Sequence, residues 1–265
     1  MFTRRVMATV ALAGALGAGA CQTKSKKELA PIATTVEPAE AATKQAREVR
    51  VEPGDSIVSL EMKAPLENIY GIVENATTGS LFIDPSNLEK TTGVIEVDLR
   101  QLVLTHQKRD TETAAFGEPK RQDLQNEHAK TWLEIADDTP EEQRKRNAIV
   151  TFRITKVAGL SSRDVTKLEG NKREVTATVT GDFVLHQRQV TKTARMKVVF
   201  DYAGDQPTDV QMTTVEPFIV DLEQHDVRPR KAFGVLADAT LATLGNKVDK
   251  QPKISLELRA KFVSK

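Results

Sequence analysis

The stretch VTATVTGDFVL, residues 175–185, decides how this chain folds. Val175, Ala177, Val179, Gly181, Phe183 and Leu185 alternate with Thr176, Thr178, Thr180 and Asp182, so one row of side chains is apolar or small and the other polar. A period of two marks a strand with one dry face and one wet face. The next segment repeats it, with Ala194, Met196, Val198, Phe200 and Tyr202 opposed by Arg195, Lys197 and Asp201. Near the end of the chain Ile254, Leu256, Leu258, Ala260 and Phe262 oppose Ser255, Glu257, Arg259 and Lys261. Three long amphipathic strands follow from this pattern.

Shorter strands are expected at 56–62, 69–73, 80–84, 94–99, 148–157 and 211–215, divided by turn formers such as Gly79, Asp84-Pro85-Ser86-Asn87, Gly93, Gly170-Asn171 and Gly204-Asp205. Such a set makes an all-β sandwich or barrel, and closure removes the edges that long strands would otherwise expose. Residues 111–132 carry fewer β formers and read as a short helix or an ordered loop. Residues 237–244, with Leu241 and Leu244 at helical spacing and Gly245-Asn246 as a stop, read as a second short helix. The polar stretches 137–147 and 160–172 read as exposed loop insertions.

The N-terminus reads as an export signal. Arg4 and Arg5 precede an uncharged apolar run from Val6 through Gly19, followed by Ala20. That run is shorter than the roughly 20 residues a membrane-spanning helix needs. Cys21 is the single cysteine and would be the first residue after cleavage of a signal spanning residues 1–20. Leu16-Gly17-Ala18-Gly19-Ala20-Cys21 resembles the bacterial lipobox, which implies a lipid anchor on Cys21. Gln22 after the cysteine offers no inner-membrane retention aspartate, so the expected address is the outer membrane, facing the periplasm. With one cysteine no internal disulfide forms, and the core must hold the fold. Residues 21–54, rich in Lys, Glu, Ala, Thr and Pro, read as the lipidated cysteine and a disordered tether, and 55–265 as the domain.

The net charge is +1, and charged residues make up 28% of the chain with both signs interspersed. No basic face suits a phosphate backbone, which excludes nucleic acid as the partner. There is no phosphate-cradling glycine loop, zinc-protease helix motif or serine elbow. Glu223, His225 and Asp226 have the residue types of a metal site but read as a solvated turn. Asp137, Asp138, Glu141 and Glu142 are followed at once by Arg144, Lys145 and Arg146, a mixed-charge surface rather than a catalytic carboxylate pair. Arg228-Pro229-Arg230-Lys231 reads as a polar rim, and Trp132 as core. No catalytic residue, metal or cofactor is expected, and the protein is read as a non-enzyme.

Together these residues resemble the YceI-like family. Gly79-Ser80-Leu81-Phe82-Ile83-Asp84 and Gly93-Val94-Ile95-Glu96-Val97-Asp98-Leu99 look like its opening strand pair. Ile149-Val150-Thr151-Phe152 looks like its mid-chain strand, and Val179-Thr180-Gly181-Asp182-Phe183-Val184-Leu185-His186 like the strand leading into its characteristic turn. Arg230-Lys231-Ala232-Phe233-Gly234-Val235 and the ending, Leu244-Gly245-Asn246-Lys247-Val248 then Ile254 to Phe262, are similar to its late segments. Gln187 stands where the family tends to have glycine, which predicts a looser turn. The resemblance implies a lipocalin-like antiparallel closed barrel of about eight strands that binds isoprenoids or other amphiphilic lipids.

On this reading the apolar row lines a ligand channel: Val97, Leu99, Phe152, Val179, Phe183, Leu185, Met196, Val198, Phe200, Phe233, Leu256 and Leu258. His186 and Arg230 are the candidates for a headgroup contact. The expected function is an envelope lipoprotein that binds or carries an apolar chain. The alternative is a scaffold whose barrel is filled by side chains and which binds a protein.

Overall fold

The computed structural model describes residues 28–33, 36–230 and 249–264. The signal segment, Cys21, Phe233 and the helix expected at 237–244 lie outside the described residues.

The elements, in chain order, are β1 (Arg47–Val51), β2 (Ile57–Lys63), β3 (Glu67–Glu74), β4 (Thr77–Ile83), β5 (Thr92–Asp98), β6 (Val103–Lys108), β7 (Lys120–Arg121), α1 (Asp123–Trp132), α2 (Glu141–Ala148), β8 (Ile149–Ala158), β9 (Lys172–Leu185), β10 (Arg188–Ala203), β11 (Gln206–Thr214), β12 (Phe218–Ile219) and β13 (Lys253–Phe262). The three long strands read from alternation are β9, β10 and β13. Eight strands form a closed antiparallel ring, β1-β4-β5-β8-β9-β10-β11-β13, which returns to its start where Val49 faces Phe262 and Val51 faces Ala260. Strand β1 lies within the stretch read as tether, so the folded part begins earlier than residue 55. Its five residues carry too short an alternation to stand out by themselves, and β13 supplies the partner that makes them a strand.

One edge of β13 is shared. Its end pairs with β1, and its beginning pairs with β2 through Ile254↔Leu60 and Leu256↔Val58. A 3₁₀ turn at Pro53–Asp55 carries the chain from one strand to the other. Strands β2, β3 and β6 thus extend the sheet past one end of the ring. There β6 has the two-residue β7 rather than a ring strand on its outer edge, so the barrel flares. Helix α1 covers the gap: Asn126, buried, accepts from the Leu104 amide at 2.8 Å and donates to the Leu104 carbonyl at 3.1 Å. One side chain does there what a neighbouring strand would do.

The opposite end of the ring is filled. Val49, Leu81, Val175, Phe200, Val210 and Leu258 form a core cluster with Val165. Val165 comes from the stretch 160–172, read as an exposed insertion. It is fully buried on a short 3₁₀ turn, and its amide donates to the Pro85 carbonyl at 2.9 Å. The Arg173 guanidinium lies 3.7 Å above the Tyr202 ring and holds the same turn through the Val165 carbonyl. The surrounding charges concealed one apolar plug.

The second expected insertion, 137–147, is also built in. Residues Glu141–Ala148 form α2, and Asn147 and Ala148 are fully buried at its end. The Asn147 Oδ1 accepts from Gln187 Nε2 at 2.7 Å. The turn that Gln187 was expected to loosen is tight: His186 and Gln187 alone join β9 to β10, with φ of 50° and 61°. Left-handed backbone costs a non-glycine residue about 1 kcal/mol or more. The Asn147 contact, and those of His186 described below, offset that cost.

Replacing Asn126 with alanine leaves the buried backbone groups of Leu104 without partners. We expect a loss of about 1–3 kcal/mol, read as a lower urea midpoint with an unchanged dependence on denaturant.

Candidate functional site

Between the filled end and the flare the barrel is hollow. The cavity measures about 540 Å³, inside the range of roughly 300–1,000 Å³ typical of small-ligand pockets. Its wall is drawn from the inward rows of β2, β3, β5, β6, β8, β9, β10, β11 and β13, closed over by α1. The space exists because the inward row is uneven. Ala194 is small and leaves room on the wall, while the place over Gly181, which has no side chain, is taken by Phe152. A Cβ on Gly181 would come within 2.5 Å of the Phe152 ring and 2.3 Å of the Arg153 carbonyl. Phe152 therefore lies across Gly181, packed against the filled cluster on one side and the cavity cluster on the other, as a floor between them.

Of the residues expected to line a channel, Val97, Leu99, Phe152, Val179, Phe183, Leu185, Met196, Leu256 and Leu258 do so. Val198 and Phe200 belong to the filled end instead, because β10 is long enough to run through both regions. Phe233 lies outside the described residues. Trp132 lines the cavity rather than sitting in a closed core, as do Leu60, Met62, Ile69 and Leu104, which the sequence reading did not select. Val179, Ala194 and Leu256 face inward yet keep partial exposure, since the hollow leaves one side of each without packing.

The same architecture occurs in solved structures. A polyisoprenoid binding domain from Saccharophagus degradans, implicated in plant cell wall breakdown, matches with a TM-score of 0.51 at 11% identity, over 81% of this chain and 98% of that one. The antiparallel barrel is common to the two. Burkholderia cenocepacia BcnA matches at 14% identity with a TM-score of 0.47, over 79% of this chain and 98% of that chain. A YCEI protein from Campylobacter jejuni matches at 11% identity with a TM-score of 0.38, over 71% and 82%. No protein-family model and no curated protein matches the sequence. At such identities the likeness is one of fold.

The two headgroup candidates are brought together in this barrel, but not on the cavity wall. His186 Nε2 lies 2.8 Å from Glu134 Oε2, and its Nδ1 is 3.0 Å from the His225 carbonyl. Arg230 donates to the same Glu134 oxygen at 3.3 Å and to the Asp226 carbonyl at 2.7 Å. Neither side chain lines the hollow, whereas their neighbours Val227 and Pro229 do. Glu134 and Asp226 also have positive φ, at 53° and 56°. This ionic cluster fastens the β9–β10 turn to the segment after β12.

His225 is not part of a solvated turn. It is fully buried, its ring stands edge-on to Phe183 at 5.4 Å, and its Nδ1 faces the Leu185 carbonyl at 3.2 Å and the Arg188 carbonyl at 3.1 Å. Two acceptors on one nitrogen assign the proton to Nδ1. Among the described residues no group of three or more His, Cys, Asp or Glu side chains is arranged to hold a metal ion.

The polar groups that do reach the cavity came unannounced. Glu67 of β3 and His106 of β6 face inward and are buried, with Glu67 Oε1 2.5 Å from His106 Nδ1. The signal was present in the alternation Leu104, His106, Lys108, but six residues beside a polar loop did not read as a strand.

Burial pushes the His225 imidazole from its ordinary 6.5 down to about 4. The unfolded chain therefore takes up a proton near pH 6.5 that the folded chain refuses until about pH 4. Stability is fully present above that window and falls as the pH drops through it, by on the order of 3 kcal/mol. His225→Gln is expected to flatten this slope in urea melts run between pH 7 and pH 4.

Proposed function

We propose that this protein is a non-enzymatic, membrane-tethered carrier in the bacterial envelope that takes the apolar chain of an isoprenoid or similar amphiphile into its barrel. The observation that carries the reading is the hollow of about 540 Å³ walled by aliphatic and aromatic side chains. A scaffold with a side-chain-filled barrel would not need it. The likeness in fold to a polyisoprenoid binding domain supports the same ligand class. Burying a chain of about twenty carbons contributes up to roughly 16 kcal/mol at ~0.8 kcal/mol per methylene. Ordering the chain and the side chains around it offsets much of that. Length therefore dominates selectivity.

The lipobox-like Cys21 is the proposed anchor. Its placement agrees with where the first described residues sit. Ile32 bridges to Arg188 beside the β9–β10 turn, the Ala30 amide donates to the Gln224 carbonyl, and Arg188 donates to the Ala30 carbonyl at 2.6 Å. This part of the tether is thus docked on the end of the barrel that holds the cavity. Nine residue-to-residue steps lead from Cys21 to Ala30. At ~3.3–3.6 Å per extended residue they reach about 30 Å at most, which keeps the hollow end near the bilayer.

Two measurements test the reading. Native mass spectrometry of protein purified from its source is expected to show a bound lipid. Ala194→Phe, which projects a ring into the hollow, should lower uptake of a fluorescent isoprenoid more than tenfold without lowering the melting temperature. A protein that emerges empty and takes up no isoprenoid refutes the carrier. For the anchor, Cys21→Ser is expected to move the mature protein from the membrane to the soluble fraction; an unchanged distribution would exclude acylation as the tether.

A further inference from the structure

The cavity wall is mostly apolar, and the polar group at its flared end is unfinished. His106 is 3% and Glu67 7% exposed. Both line the hollow, on adjacent strands at its flared end. Glu67 Oε1 meets His106 Nδ1 at 2.5 Å, and the Lys108 ammonium stands 3.8 Å from the same oxygen. His106 Nε2 is buried and has no hydrogen-bond partner. A buried polar atom without a partner carries a desolvation penalty that native structures seldom leave uncompensated. An empty apolar channel gains nothing from it.

The pair also defines what would complete it. A carboxylate only accepts, so the proton between the two residues belongs to His106 Nδ1. In the neutral ring Nε2 then presents a lone pair. A lone pair calls for a donor, which a hydroxyl supplies and an ionised phosphate, rich in acceptor oxygens, does not. We infer that His106 Nε2, held in place by Glu67, receives the hydroxyl or another neutral hydrogen-bond donor at the polar end of the bound amphiphile. The ligand class is then a long-chain alcohol rather than a hydrocarbon or a phosphate ester. The head lies inside the barrel at the flared end, among His106, Gln125 and His128, and the chain runs toward the Phe152 floor. This inference rests on the carrier reading above and refines its ligand.

The test uses three probes of equal chain length: geranylgeraniol, its deoxy hydrocarbon and geranylgeranyl phosphate, each competed against a fluorescent isoprenoid. The wild-type protein is expected to prefer the alcohol over the hydrocarbon about fivefold, the return of one neutral hydrogen bond after exchange with water, and to bind the phosphate less well than the alcohol. In His106→Leu the alcohol should fall to the level of the hydrocarbon while the hydrocarbon is retained. Equal wild-type affinity for alcohol and hydrocarbon, tighter binding of the phosphate, or a preference that survives in His106→Leu would overturn the inference while leaving the carrier intact. Binding of none of the three removes the carrier itself, and the inference with it. Should His106→Leu fail to fold, the nitrogen-15 resonance of His106 Nε2 in the wild-type protein decides: it moves on adding the alcohol and not on adding the hydrocarbon, and identical spectra count against the inference.

Discussion

The closure of the sheet through β1 and β13 is the constraint on which the rest depends. A strand of β9's length exposes a row of unpaired amides and carbonyls if it stands at an edge, and those groups recruit other chains. The ring removes the problem by letting β13 serve β11 on one side and both β1 and β2 on the other. Closure also turns the apolar rows of every ring strand toward one axis. Without it the alternating pattern would need a second sheet to cover it. With it, eight strands enclose a space only just wide enough to be either packed or left open.

The two halves of this barrel take different sides of that choice. At the filled end, Phe200, Leu81 and Val210 pack in one cluster and Val165 is pressed in from a loop. At the other end β6 has β7 rather than a ring strand on its outer edge, α1 bridges the breach with Asn126, and Ala194 leaves room. Stability and capacity are separated along the axis, with Phe152 over Gly181 at the boundary. The hollow end then needs other means of holding its shape. The His186–Glu134–Arg230 cluster and the Asn147–Gln187 bond supply them, and four of the five non-glycine residues with positive φ among the described residues lie there.

This arrangement bears on how a ligand is held. The part of the cavity proposed to hold the chain is walled by ring strands, while the polar pair Glu67–His106 sits on the extension β3–β6, whose outer edge is closed by Asn126 and the two-residue β7. The element that carries the proposed head contact is thus also the one at the edge of the sheet.

Some of this was legible from the residues alone. Alternation of side chains is a local property of a strand, so the three long strands, the all-β class and nine wall residues could be read without coordinates. So could the exclusion of a disulfide, from one cysteine. What a segment does when its local signal is weak depends on its partner. Arg47–Val51 became a strand because β13 lay open beside it, Val165 a plug because the barrel end needed one, and Asn147 a clamp because the turn needed one. Nor does alternation say how far along the axis a given pair of residues lies. Phe200 and Phe183 share a pattern yet sit in different compartments, and Glu67 meets His106 only because β3 and β6 are neighbours. Distance across the barrel is set by register and closure, and those are decided by the whole sheet at once.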